Sequence, residues 1–144
     1  MPTIHRSALV EHSTARMFAL VNDVAAYPRR FDWCDGAQVL ESSEVMVVAR
    51  LDLGLGALRT WFTTRNTLSP PHHIDLELVD GPFRSLSGRW EFHALDESAC
   101  KVTLTLKFEP VVRMLAPAMA IGFQHLADRM VDDFVAVADS GEEA

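Results

Sequence analysis

Cysteine, tyrosine and lysine are scarce in this sequence, and its apolar runs are short. Cys34 and Cys100 are the only cysteines among 144 residues. They exclude a disulfide framework and offer no zinc-type spacing, so a reducing compartment is expected. Near the C-terminus the longest uncharged run, residues 114–127, spans 14 residues, short of the roughly 20 that a membrane span needs. The first residues carry His5, Arg6, Glu11 and His12 where a secretion signal needs an apolar block, so no signal peptide is expected. Positive charge is in the minority. Thirteen Lys and Arg against twenty Asp and Glu give a net charge of −7, which disfavours holding nucleic acid by bulk electrostatics, and no DNA partner is expected. Eleven of the thirteen basic residues are arginine, so local anion-binding patches remain open.

Motifs of catalysis are missing as well. There is no glycine-rich phosphate loop, no HExxH, no CxxC and no nucleophile elbow. His125, Asp128 and Asp132 fall on one helix face, but two carboxylates and one imidazole at a wet surface form a solvated charge cluster more readily than a metal site. His72 and His73 sit beside Pro70 and Pro71 in a turn. Asp75 and Glu77 alternate away from Ile74, Leu76 and Leu78, so they lack the cleft that would perturb their pKa values for acid–base work. The residues read as a non-enzymatic protein with no metal and no required cofactor.

What is present is apolar: 49% of residues are hydrophobic, enough for one domain over residues 1–139 with a polar tail, 140–144, expected to fray. The organising stretch is 111–138. Leu115, Met119, Phe123, Leu126, Met130, Phe134 and Val137 recur at spacings of four and three, one stripe of an α-helix. His125, Asp128, Arg129, Asp132 and Asp133 form the wet face. Pro117 either opens the helix or kinks it. Small residues (Ala116, Ala118, Ala120, Gly122) and flexible methionines line the first half. Such a face either presses tightly on a sheet or leaves a soft-walled gap.

The preceding residues read as strands. A strand over 4–10 precedes a short helix capped by Ser13, carrying Met17, Phe18, Leu20 and Val21 on one side. A second helical piece over 24–27 is expected to stop at Pro28. Strands follow at 37–41, 45–53, 58–68, 74–79, 85–94 and 100–108, each bounded by turn residues. In the last two the alternation is clear. Leu86, Gly88, Trp90, Phe92 and Ala94 share a face, as do Val102, Leu104, Leu106 and Phe108, while Arg89, Glu91, Lys101 and Lys107 point to solvent. The expected architecture is α+β: a seven-stranded antiparallel sheet wrapped around one long C-terminal helix, with two short helices after the first strand. Tyr27, Trp33, Phe62, Phe83, Trp90, Phe92, Met119 and Phe123 are candidates to line the interior, or simply to fill it. Gly88, beside Trp90, is expected to leave a hollow in the middle of its strand.

Three segments together resemble a known family. Tyr27-Pro28-Arg29-Arg30-Phe31-Asp32-Trp33-Cys34 is similar to its Tyr-Pro-x-Phe-Leu-Pro-Trp-Cys motif, and Phe62-Thr63-Thr64-Arg65-Asn66 to its Phe-x-Thr-Arg-Asn strand. Gly81-Pro82-Phe83 with Leu86-Ser87-Gly88-Arg89-Trp90-Glu91-Phe92 is similar to its Gly-Pro-Phe and Leu-x-Gly-x-Trp-x-Phe hairpin. The resemblance is to the coenzyme Q-binding, START-like family of the polyketide cyclase/dehydrase and lipid transport superfamily, near its ribosome association toxin branch. Arg30 and Asp32 depart from the motif, which has Phe and Pro there, and set charges near what is expected to be a cavity mouth.

The resemblance implies a helix-grip (START-like) fold with a lipid-sized cavity. Its members are described as binding ubiquinone or other isoprenoid lipids, and one bacterial branch as binding the large ribosomal subunit and blocking subunit joining. The leading expectation is therefore a carrier of an isoprenoid quinone. Its walls would be Phe62, Trp90, Phe92, Met119, Phe123 and Met130, with Tyr27, Trp33 and Phe83 nearer the mouth. Each methylene withdrawn from water would contribute about 0.8 kcal/mol. The alternative is a ribosome-binding inhibitor using Arg59, Arg65, Arg84 and Arg89 on an outer face, and the third is a cyclase-like enzyme in the same cavity. The expected location is the cytoplasm or the periphery of the inner membrane, with a hydrophobic ligand, transient membrane contact and the large ribosomal subunit as candidate partners.

Overall fold

The computed structural model describes residues 2–141. Strand β1 (Thr3–Val10) leads into α1 (Thr14–Asn22), a 3-10 turn (Val24–Ala26) and α2 (Tyr27–Arg30). Six strands follow: β2 (Cys34–Ser42), β3 (Met46–Leu55), β4 (Leu58–Ser69), β5 (His73–Asp80), β6 (Phe83–Asp96) and β7 (Ala99–Pro110). A second 3-10 turn (Arg113–Leu115) enters the long helix α3 (Ala116–Asp139). The sheet order is β1-β7-β6-β5-β4-β3-β2, with every pairing antiparallel. The first strand therefore closes one edge beside the last, and α1 and α2 carry the chain to the opposite edge. This is the α+β helix-grip arrangement that the alternation predicts.

Local chemistry accounts for most boundaries. The Ser13 hydroxyl accepts the Arg16 N–H at 3.1 Å and caps α1, whose buried face is Met17, Phe18, Leu20 and Val21. Pro28 does not stop the second helical piece. It lies in the first turn of α2, where a missing N–H costs nothing because that donor has no helical partner anyway. The β3–β4 hairpin turns at Gly56 with φ 59°, a left-handed backbone that glycine adopts without strain.

The long helix starts later than the periodicity suggests. Residues 111–112 continue from β7, with the Val111 N–H bonded to Pro82 O at 3.3 Å, and the helix proper opens with Pro117 in its first turn. Its buried line is Phe123, Leu126, Ala127, Val131, Phe134 and Ala138. Met130 and Val137 flank this line rather than forming it, and Leu115 is half exposed. The helix ends at Ser140, whose hydroxyl donates to Val137 O at 2.6 Å; residues 142–144 of the expected tail lie outside the described residues.

The wet face of α3 is tied to both edges of the sheet. Arg6 on β1 reaches Asp128 at 3.4 Å and Asp132 at 2.7 Å. Arg129 reaches Asp32, before β2, at 2.9 Å. These pairs are partly exposed, so each contributes little by itself; apolar burial holds the helix in the sheet.

Phe123 is 2% exposed and touches Phe83 and Phe108. Phe123→Asp places an unpaired carboxylate there at a cost of several kcal/mol, comparable with the stability of a whole domain. The expected outcome is loss of a cooperative thermal transition in circular dichroism; a variant melting like the parent would remove Phe123 from the interior.

Candidate functional site

Two spaces lie along α3. The first is an interior cavity of about 70 Å³ between sheet and helix. Aliphatic side chains dominate its wall: Leu51, Leu53, Ile74, Leu76, Leu104, Leu106, Leu126 and Ala127. One side is polar. Thr64 and Asn66 are buried on the inward face of β4, and the Thr64 hydroxyl donates to Asn66 Oδ1 at 2.7 Å. Asn22, at the end of α1, lines the same space, and its buried Oδ1 has no hydrogen-bond partner. These three groups can hold ordered water in a space of this size, since a water needs two or more polar partners.

The candidate lining residues divide. Tyr27, Phe62, Trp90, Phe123 and Met130 reach the cavity. Trp33, Phe83 and Phe92 do not; they are spent in two aromatic clusters that close its ends. In one, Phe31 stacks on Trp33 at 4.7 Å, and both contact Phe134 and Tyr27. Trp90 meets Phe134 edge-on at 5.5 Å and runs on to Phe92 and Phe18. The other cluster joins Phe62, Phe83, Phe108 and Phe123. Trp33 is therefore fully buried rather than near a mouth, its Nε1–H donating to Asp133 at 2.9 Å. The polar residues Thr64 and Asn66 were legible in principle, because β4 alternates Phe62, Thr64, Asn66, Leu68 on one face.

The charged departures from the motif do not guard a mouth as a pair either. The Arg30 side chain is only 2% exposed and meets Asp23 at 3.3 Å, while Asp32 turns outward to Arg129. Burial pushes the Cys34 thiol up to about 11, so it stays protonated and unreactive at neutral pH.

The second space is an open groove of about 920 Å³ beside the start of α3. Leu55 and Leu58 from the β3–β4 hairpin form one bank, Val111, Val112, Leu115, Met119 and Ile121 the other. Met119 belongs here rather than to the interior. The two spaces are neighbours: Leu58 packs on Gly122, where an added Cβ would lie 3.2 Å from Leu58 Cβ.

A family profile described as polyketide cyclase/dehydrase and lipid transport matches residues 10–135. The chain belongs to that family. Among curated proteins it is 46% identical over 134 residues to one named ribosome association toxin RatA from Vibrio cholerae, covering 93% of each chain. It is 44% identical to the RatA of Pseudomonas aeruginosa (91% of each chain) and 40% identical to that of Escherichia coli (93% of this chain, 85% of the relative). Of the solved structures, a Caulobacter crescentus protein is 26% identical with a TM-score of 0.79, covering 99% of this chain and 100% of its own. An aromatase/cyclase from Streptomyces, at 18% identity and TM-score 0.80, covers 95% of this chain and 93% of its own. A START superfamily protein of Mycobacterium smegmatis, at 20% identity and TM-score 0.69, covers 90% and 94%. The last two establish a shared fold and nothing further.

The four candidate surface arginines do not form one patch. Arg89 is held by Asp75 at 2.7 Å, and this hydrogen bond keeps its proton more firmly than usual. Arg59 rims the groove and pairs with Asp35 at 3.1 Å. Arg84 falls in the bulge between Phe83 and Ser85. Arg65 stands opposite Glu77 across β4 and β5; neither Arg65 nor Arg84 forms an ion pair among the described residues. On α3, Asp128 and Asp132 are engaged by Arg6, and no group of three or more potential ligands that could hold a metal occurs among the described residues. Nor is any helix among them long and apolar enough to cross a membrane.

Inside the cavity, Tyr27 is the one titratable lining side chain. Burial raises its phenol well above the ordinary tyrosine range, and its hydroxyl donates to Val21 O. A group so far from neutral pH is poorly matched to general acid–base work.

The hollow expected at Gly88 is absent. A Cβ there would lie 2.8 Å from Thr105 O and 3.1 Å from Leu106 Cδ1, because β5 and β7 close over the glycine from both sides. Gly88→Leu should therefore destabilise the protein, by about 1–3 kcal/mol for overpacking. Urea denaturation measures it, and an unchanged midpoint would restore the hollow.

Proposed function

We propose that this protein associates with the large ribosomal subunit and interferes with subunit joining. The observation that carries this reading is the 40–46% identity, across more than nine-tenths of the chain, to proteins named ribosome association toxin. The interior is consistent with it. A space of about 70 Å³ falls well below the 300 to 1,000 Å³ or so of ordinary ligand pockets. The expected quinone carrier would thus have to enlarge this cavity several-fold, or hold the prenyl tail in the open groove of about 920 Å³ beside it.

Charge is distributed in a way that suits a one-sided contact with RNA. The outer sheet face carries exposed Arg65, Arg89, Lys101 and Lys107. Acidic groups cluster on α3, at Asp128, Asp132, Asp133 and Asp139. A sheet-first approach to phosphates keeps the acidic helix turned away, although Asp75, Glu77 and Glu91 dilute the basic face.

Lipid carriage is a second reading, favoured by the apolar cavity wall and by its nearness to the groove across Leu58 and Gly122. Organic extraction and mass spectrometry of the purified protein address it: a stoichiometric prenyl lipid would show that the cavity opens. A cyclase activity has its support in the fold neighbours, but it would have to work without a suitable acid or base on the wall.

For the leading reading, the protein should co-sediment with isolated large subunits in a sucrose gradient at low salt. Binding should weaken linearly on a logarithmic salt scale. Arg65→Gln with Lys107→Gln should sharply weaken co-sedimentation and leave the melting temperature unchanged, since both side chains are exposed and form no ion pair among the described residues; glutamine avoids facing a second carboxylate against Glu77, which lies opposite Arg65. Absence of wild-type co-sedimentation at low salt would overturn the proposal, whereas retained binding by the double variant would move the contact off this face.

A further inference from the structure

The open groove beside the start of α3 has a polarity of its own. Along the entry to the helix and the helix itself, its wall is first apolar, with Leu115, Ala118, Met119 and Ile121, and then basic, with His125 and Arg129. From Leu115 to His125 the span is about 15 Å at 1.5 Å per residue. The hairpin bank repeats the order: Leu55 and Leu58 come first, Arg59 and Thr60 after them. Within this wall one hydroxyl is unanswered. Thr60 Oγ1 is buried and has no hydrogen-bond partner, whereas buried hydroxyls are nearly always bonded, so it points to a partner from outside the chain. We propose that the groove binds a single-chain anionic amphiphile. Its hydrocarbon chain lies along the apolar start of α3, and its carboxylate or phosphate head lies at the Thr60 and His125 end.

Charge and shape select this occupant. Every charged side chain on the groove wall is basic, Arg59, His125 and Arg129, and no carboxylate lines it. In a chain of net charge −7 that is a local reversal, and it complements an anion. His125 is exposed and has no partner among the described residues. The two arginines are held by carboxylates outside the wall, yet each keeps donors to spare. Arg59 meets Asp35 through Nη1 alone, while Arg129 meets Asp32 through Nη2 and Asp133 through Nε. Those ion pairs weaken the pull on a bare anion, so a chain on the apolar wall must supply much of the affinity. A volume of about 920 Å³ suits a discrete ligand. A neutral lipid would leave the basic end unmatched. A flat bilayer surface would cover the rim without filling the groove. An apolar protein face, a second copy included, would bury the Thr60 hydroxyl and the basic end without partners.

Titration calorimetry with dodecanoate, kept below its micelle concentration, tests the proposal. It rests on neither reading above, since ribosome co-sedimentation and a prenyl lipid in the interior can each fail without touching it. The wild type should bind dodecanoate saturably, dodecyl phosphate comparably, and dodecanol about tenfold more weakly or worse for want of the charged head. Thr60→Val and His125→Leu should each weaken dodecanoate about threefold or more and leave dodecanol unaffected. Ala118→Trp, at an exposed position on the groove wall, should fill the groove and abolish binding of both while its circular dichroism melt matches the parent. Absence of saturable dodecanoate binding overturns the proposal, as does dodecanol binding equally well. Binding that survives Ala118→Trp puts the chain elsewhere and overturns it too. So does association with phosphatidylglycerol vesicles without uptake of dodecanoate, which would give the surface to a membrane. A ligand-free dimer in sedimentation equilibrium that dodecanoate does not dissociate would give the groove to a second copy, with the same consequence.

Discussion

The structure depends on one constraint: a single helix must fill a seven-stranded sheet with side chains of fixed volume. Phe123 and Phe134 do this, one in each aromatic cluster, three turns apart on α3. Around Phe134 gather Tyr27, Phe31, Trp33 and Trp90; around Phe123, Phe83 and Phe108. Rings pack at 5 to 6 Å or so in tilted and edge-on arrangements, which fixes the spacing between helix and sheet. What remains between the clusters is the small cavity, bounded by aliphatic side chains that cannot close it fully.

That geometry changes the balance among functions. In a lipid carrier the aromatic side chains would be expected along the ligand; here most of them are used to clamp the helix. The unused space is small, with a polar side made by Asn22, Thr64 and Asn66, more suited to ordered water than to a prenyl chain. Outside it lie the sheet face with its lysines and arginines and the apolar groove at the start of α3. Those two surfaces lie on different parts of the molecule.

Electrostatics reinforces this division. Two of the four arginines expected to meet an anion are held by a neighbouring carboxylate, Arg89 by Asp75 and Arg59 by Asp35. Such exposed pairs contribute little stability, but they lower the local potential. On the ribosome reading, binding of phosphate through this surface would rest on Arg65 and the two lysines of β7 more than on the pairs.

The sequence by itself determined the order of elements, the inward and outward faces of β6 and β7, the cap at Ser13 and the family. All of these follow from local periodicity, turn chemistry or short motifs, which act over a few residues. It also put Phe62, Trp90, Phe123 and Met130 on the faces where the cavity forms, whereas Tyr27, expected nearer a mouth, is buried on the cavity wall. Tertiary structure decided the rest. Whether Trp33, Phe83 and Phe92 line a space or fill it depends on which ring meets which across distant strands, and alternation carries no such information. The closure over Gly88 depends on cross-strand neighbours, Leu76 and Leu106, far away in sequence. Pro117 admitted both a start and a kink, and the path of β7 into the helix selected the start. The pairing of surface arginines was equally hidden, because the partner carboxylates come from other elements and only the folded sheet brings them within reach.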